Sequence, residues 1–394
     1  MRIPTSIQRS KLTGLLLAAS VLGLPVAATS PAAAHVIPVA DMIRGITMTQ
    51  VQCAAIPQTI WLNVMGRDFC VRYYLSTAGG SNAWPAVFLQ GDRLGALRRD
   101  GTWAPGAKEK DIDTDNLMKF ADTLSKQTGA SAIYLGRIGV EGTSGDHRDR
   151  KTLLELNLMH AALDAIKQRH SFKGFHLIGQ SGGSKLVGGL IALRHDVGCA
   201  VIGAGRLSNA PDRPPPQNPS PQAFNVVDAI PVMLQRRSTR ILVITDPEDK
   251  KVPERTQTDF VRKFQQAGGH VEQYLVEATD DDRHGITPYA RAAAADCMRN
   301  ASPKELAEKL QQMVQKRLAA KAARANAAPG AVPNQVTPQV APPTLQSAPY
   351  TRTDAAPAVR TGSDAQPAQQ TAMSERDRSG MGAGGSEVPR SNAQ

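Results

Sequence analysis

The stretch Phe175-His176-Leu177-Ile178-Gly179-Gln180-Ser181-Gly182-Gly183 reads as a short apolar strand that runs into a G-x-S-x-G turn. The residues that follow, Ser184-Lys185-Leu186-Val187-Gly188-Gly189-Leu190-Ile191-Ala192-Leu193, read as a buried helix. A strand that reverses abruptly into a helix holds its turning residue in a strained conformation, so the positions two before and two after it must be small. Gly179 and Gly183 occupy them. The turn would lift the Ser181 hydroxyl above the sheet edge, and the unpaired N–H groups at the helix start, that of Gly182 first, would face an oxyanion forming beside it. The strand-turn-helix setting separates this pentapeptide from a chance match.

A serine hydroxyl needs a base, and the base needs an orienting carboxylate. Ile241-Leu242-Val243-Ile244-Thr245 reads as a buried strand, and the loop Asp246-Pro247-Glu248-Asp249-Lys250-Lys251-Val252-Pro253 follows it. A further strand from Val271 to Glu277 leads into Asp280-Asp281-Asp282-Arg283-His284-Gly285. Ser181, Asp249 and His284 thus each lie just beyond the C-terminal end of an expected strand, where the loops of an open α/β sheet gather.

With these residues the chain resembles the α/β-hydrolase-fold serine hydrolases over roughly residues 70 to 300. The resemblance implies a mostly parallel central sheet flanked by helices and a catalytic set of Ser181, Asp249 and His284. The family's acid commonly stands in a D-x-x-V-P loop, which Asp249-Lys250-Lys251-Val252-Pro253 fits, with Asp246 as the competing acid. Its histidine is often followed by glycine, as at His284-Gly285. The second oxyanion donor should come from the loop after an earlier strand. Pro85-Ala86-Val87-Phe88-Leu89-Gln90-Gly91-Asp92 resembles that segment, with Gln90 in place of the usual His, so backbone donation falls to Asp92 or its neighbour. Ala132-Ile133-Tyr134-Leu135-Gly136-Arg137 and the loop up to His147 resemble the next strand and its glycine-rich loop.

Gln90, Gln180 and His147 are the candidate pocket residues, His147 because its loop should lie near the sheet edge. His160, His170, His176 and His195 read as surface or satisfied core groups. Asp111, Asp113 and Asp115 imitate the start of a calcium loop, but Asn116 stands where the turn needs Gly, and a helix N-terminus explains the acidic side chains better. Gly203-Ala204-Gly205 lacks the spacing of a dinucleotide fingerprint. No metal and no cofactor is expected.

The chain opens with Arg2, Arg9 and Lys11, a largely apolar run from Leu12 to Ala27, and Ala32-Ala33-Ala34, the pattern of a cleaved signal peptide over residues 1–34. The apolar run is short and alanine-rich for a membrane anchor. An exported protein, periplasmic or secreted, meets an oxidising compartment, so Cys53, Cys70, Cys199 and Cys297 favour disulfides over free thiols. Three pairings are open. Cys53 with Cys70 is local, and Cys199 with Cys297 would tie a core strand end to a late helix. These loops would contribute about 3 and about 4–5 kcal/mol on a loop-entropy argument.

Residues 35–301 hold nearly all recognisable strands and suit one α/β catalytic domain. Pro211 to Pro221 is too proline-rich for a helix and reads as a semi-rigid loop at the mouth of the site or an inert connector. Ser302-Pro303-Lys304-Glu305 resembles a helix N-cap, and Leu306, Leu310, Met313, Val314 and Leu318 follow at helical spacing, giving a helix over 302–326. Residues 327–394, rich in Ala, Pro, Gln, Thr, Ser and Gly, carry too few bulky apolar groups to fold.

The net charge of +11 suits contact with anionic envelope components, while aromatics at 4% and dispersed Lys and Arg argue against a nucleic-acid partner. The sequence is silent on oligomeric state. Its function reads as cleavage of a carboxylic ester or amide through an acyl-enzyme. A short-peptide peptidase on the same fold and a non-catalytic envelope-binding or scaffold protein are the alternatives.

Overall fold

A computed structural model describes residues 36–93, 95–97, 102–106, 109–209, 223–235 and 238–326. The expected signal peptide over 1–34, the Pro211 to Pro221 segment and the tail over 327–394 lie outside them. Eight strands form one sheet: β1 (Thr59–Val64), β2 (Arg67–Ser76), β3 (Ala86–Leu89), β4 (Ala132–Leu135), β5 (Phe175–Gln180), β6 (Val197–Gly203), β7 (Arg240–Thr245) and β8 (Glu272–Leu275). Their order across the sheet is β1-β2-β4-β3-β5-β6-β7-β8. The hairpin of β1 and β2 turns through Met65 and Gly66, both at positive φ, and β2 pairs antiparallel with β4. From β4 onward every pairing is parallel.

Parallel neighbours need crossovers, and helices supply them. α1 (Thr114–Thr128), α2 (Leu153–His170), α3 (Gly182–Leu193), α4 (Arg255–Gln266), α5 (Thr287–Met298) and α6 (Pro303–Asn326) follow in chain order. Strand alternation divides the core. Val87, Ile133, Leu177, Ile202 and Val243 join side chains of α2, α3 and α4 in one layer. Phe88, Tyr134, Ile178, Val201 and Leu242 join those of α1, α5 and α6 in the other. The strand order and helical crossovers are those of the α/β-hydrolase fold, mixed α/β with helices on both faces of the sheet.

Local signals account for the helix ends. Asp113 caps α1 by accepting from the Asp115 N–H at 2.9 Å, and Gly129 closes it in the left-handed conformation. Ser302 and Glu305 form reciprocal bonds at the start of α6, which buries Leu306, Leu310 and Val314. The disulfides are Cys53–Cys70 and Cys199–Cys297, the local pair and the pair that ties β6 to α5. One strand differs from its expected length. The segment from Val271 to Glu277 pairs only over Glu272–Leu275, and its C-terminal limit falls where its neighbour β7 ends at Thr245. Among the described residues no helix is long and apolar enough to cross a membrane.

Candidate active site

Ser181 stands at the C-terminal end of β5, between β3 and β6, as the residue on which strand turns into helix. Its backbone is at φ 53° and ψ −117°, a conformation that costs an L-residue energy and must be held by its surroundings. The Ser181 N–H donates to the Gly203 carbonyl on β6 at 2.8 Å. The Ser184 hydroxyl clasps the same strand residue, accepting from Gly203 N–H at 2.8 Å and donating to its carbonyl at 2.7 Å. The flanking glycines are small for the reason expected: a Cβ on Gly179 would lie 2.5 Å from Ser184 Cα, and one on Gly183 would lie 2.1 Å from the Leu89 carbonyl oxygen.

The loop after β3 closes against this turn. A Cβ on Gly91 would lie 3.0 Å from Ser181 Cβ and 3.7 Å from its Oγ, and one on Gly182 would lie 1.9 Å from Asp92 Oδ1. Gln90, Gly91 and Asp92 therefore border the Ser181 hydroxyl and the start of α3. The Asp92 carboxylate, one of the groups sequence reasoning treated only as backbone, is the anionic end of a buried network. Arg137, fully buried at the end of β4, donates to Asp92 Oδ1 at 2.9 Å and to the Gln90 carbonyl at 3.0 Å. Its other face makes two 2.9 Å bonds with the fully buried Glu155 of α2. Lys151 reaches Asp92 Oδ2 at 2.7 Å. Burial alone would raise the Asp92 carboxyl, but Lys151 and Arg137 beside it hold it well below the usual carboxylate range.

His284 lies in the loop after β8, and its Nδ1 bonds Asp249 Oδ2 at 2.8 Å. The other Asp249 oxygen accepts from the backbone N–H groups of Lys251 at 2.7 Å and Val252 at 2.9 Å, so the carboxylate is oriented before it meets the ring. Asp246, the competing acid, is turned elsewhere. It accepts from Arg283 at 2.8 and 3.0 Å and from the Ala278 N–H at 2.7 Å. Asp280 fastens the histidine loop by accepting from the N–H groups of His284 and Gly285, and these bonds hold its carboxyl down against the opposing effect of burial.

Gln180 ties the two halves together. Its amide donates to the His284 carbonyl at 2.8 Å and accepts from Thr287 Oγ1 at 3.2 Å, which couples the residue before Ser181 to the backbone of the histidine. The structure thus brings His284 and Asp249 into contact and brings the Gln90-Gly91-Asp92 loop against Ser181. Among the described residues no hydrogen bond joins Ser181 Oγ to the His284 ring.

His147 is buried, and both ring nitrogens are committed: Nδ1 to the Ile138 carbonyl at 2.8 Å, and Nε2 to the Arg93 N–H at 3.2 Å, which it accepts. The ring therefore holds the loops around Asp92 rather than presenting a free nitrogen. Burial and the Arg137 charge push its imidazole down from 6.5 to about 3. The unfolded chain takes up a proton below pH 6.5 that the folded ring does not bind until about pH 3, so this site costs stability as pH falls through that window. His176, lowered to about 4 by burial, acts in the same direction. Replacing His147 by Gln is expected to reduce the acid-side slope of unfolding free energy by roughly 1 kcal/mol per pH unit, read by urea denaturation at pH 7, 5.5 and 4.5. An unchanged slope would show that His147 does not contribute.

A cavity of about 660 Å³ lies at the opposite end of the sheet, around Arg240 on β7 and Glu272 on β8, and none of Ser181, Asp249 or His284 lines it. Among the described residues no group of acidic, histidine or cysteine side chains is arranged to hold a metal ion. The buried Arg137 network and Lys185 were not singled out from the sequence. Arg137 and Glu155 gave no signal, since their pairing joins a strand end to a helix 18 residues on. Lys185 gave one: it is the single charge in an apolar helix, four residues after Ser181.

No protein-family model matches the sequence, and no curated protein does. Solved structures resemble the chain path. Est1E from Butyrivibrio proteoclasticus, with ferulic acid bound, matches with a TM-score of 0.43 at 12% identity, covering 61% of this chain and 98% of that one. An esterase of Pyrococcus furiosus matches with a TM-score of 0.45 at 11% identity, covering 65% and 97%. Acylaminoacyl peptidase of Pyrococcus horikoshii matches with a TM-score of 0.41 at 12% identity, covering 66% of this chain and 41% of that one.

Proposed function

We propose that the protein is an exported serine hydrolase that cleaves a carboxylic ester or amide through Ser181, His284 and Asp249. The observation that carries this reading is the 2.8 Å bond from His284 Nδ1 to an Asp249 carboxylate already oriented by two backbone N–H groups, in a loop that Gln180 fastens to the strained turn of Ser181. With Nδ1 committed to Asp249, Nε2 is the nitrogen left to take a proton.

As Ser181 Oγ attacks the substrate carbonyl, its proton passes to His284 Nε2 and the carbonyl oxygen becomes an oxyanion that the N–H groups of Gly182 and Asp92 receive. Asp249 stabilises the imidazolium and fixes its tautomer. The C–O or C–N bond then breaks, the leaving group takes the proton from Nε2, and an ester of Ser181 remains. Water, deprotonated by His284, attacks that ester and releases the acid with Ser181 restored. Export agrees with two disulfides and the sequence pattern of residues 1–34.

The test is labelling of the purified mature protein with a fluorophosphonate probe. Wild type is expected to label, and Ser181→Ala and His284→Ala to lose the label. Folded wild type that stays unlabelled would overturn the catalytic reading and favour the binding or scaffold alternative.

A further inference from the structure

The side of the Ser181 turn that faces α2 carries more positive charge than its own architecture uses. Lys185 lies one helical turn beyond Ser181 and is only 2% exposed. A lysine is rarely buried so completely without an acidic partner. Here the ammonium donates to the neutral Asn209 side chain at 2.8 Å and lies 5.5 Å from the Phe224 ring, and no carboxylate among the described residues forms an ion pair with it. An ammonium has three donors, and one protein acceptor takes one of them.

Its neighbours add to the same field. Lys151 sits in the left-handed conformation at φ 62°, strained for a lysine, and is held there with its N–H on Glu155 and its ammonium on Asp92. Its side chain is 27% exposed, whereas Lys185 is almost fully buried. Burial, then the charges of Lys151 and Arg206, push the Lys185 ammonium down to about 8. Asp92 opposes them from the same side but is already engaged by Arg137 and Lys151.

We infer that Lys185 and Lys151 form an anion subsite beside Ser181, and that the substrate is an ester or amide whose acyl or leaving group carries a carboxylate. The inference rests on the hydrolase reading for the scissile bond but not for the anion. Lys185 follows Ser181 by one turn of α3, about 6 Å of axial rise. That span suits an anion separated from the scissile carbonyl by about two to four carbons. A site with unsatisfied ammonium donors discriminates strongly against a partner that lacks the charge, because the buried cation is then left uncompensated.

The experiment compares binding of monomethyl glutarate, a monoanion at pH 7, with neutral dimethyl glutarate to the Ser181→Ala protein by NMR titration, which needs no turnover. The monoanion is expected to bind at least tenfold more tightly, and the preference to fall to within threefold when Lys185→Met is added. Should that variant not fold, Lys151→Met takes its place, with at least a threefold loss of preference expected. A monoanion that binds no better than the diester, or a preference that the lysine variants leave intact, would overturn the subsite. Protein that takes the fluorophosphonate label without an anion preference loses this inference alone; protein that prefers the monoanion but does not label retains the subsite and loses the hydrolase reading.

Discussion

Replacing Asp249 by Asn is expected to lower kcat for the best ester substrate by about 10⁴-fold, and Ser181→Ala by about 10⁶-fold to near background. The Asn keeps the volume and a hydrogen bond, yet it removes the charge that stabilises the imidazolium and can present its N–H to His284 Nδ1, forcing the wrong tautomer. Asp246→Asn is the matched control. Asp246 is fully buried but faces Arg283 and the Ala278 N–H, so its substitution should cost about 1–3 kcal/mol of stability while lowering kcat less than tenfold. Steady-state kinetics with urea denaturation of both variants checks the assignment. Equal kinetic losses in the two would show that the loop acts as a unit and that Asp249 is not the specific partner of the histidine.

The second large effect falls on stability. Arg137→Met is expected to destabilise the protein by about 3–5 kcal/mol, because it leaves Glu155 buried without its cation and deprives Asp92 of one of its three cationic partners, Arg137, Lys151 and Arg150. Adding Glu155→Leu should recover at least half of that loss, since a buried ion pair replaced on both sides by apolar groups is often close to neutral. The measurement is the urea midpoint and slope of the two variants. If Arg137→Met costs less than about 1 kcal/mol, water or a relaxed side chain must take the place of the guanidinium, and the network is not what fixes the Asp92 loop. The double variant also separates stability from catalysis, because a folded protein with a displaced Asp92 N–H would lose kcat without losing its urea midpoint.

Much of this molecule was legible one segment at a time. The strand and turn at 175–183, the buried run at 241–245 and the cap at Ser302 are local patterns, and each is fixed by the period of its apolar residues or by the size of its glycines. Asp249 and His284 were legible as residues because each follows a strand, and parallel strands joined by right-handed crossovers deliver their C-terminal loops to one rim. Gln180 was legible only as a neighbour of the nucleophile; that its amide would fasten the backbone of His284, 104 residues away, depends on how two loops meet. His147 shows the converse case. Its loop lay where expected, but whether the imidazole faced ligand or protein depended on the Arg93 N–H and the Ile138 carbonyl, groups that every residue carries and no sequence pattern marks.

The sequence by itself determined the alternation of strands and helices, the sharp turn at Ser181 and the order Ser, Asp, His, because these follow from spacing along the chain and from the sizes of single residues. Only the tertiary structure decided which aspartate meets His284, how Arg137 joins Asp92 to Glu155, and that Lys185 is buried without a carboxylate. Those outcomes turn on distances of about 3 Å between side chains far apart in sequence, where burial in a medium of low dielectric makes one partner's presence or absence worth kilocalories, and no local pattern encodes that choice.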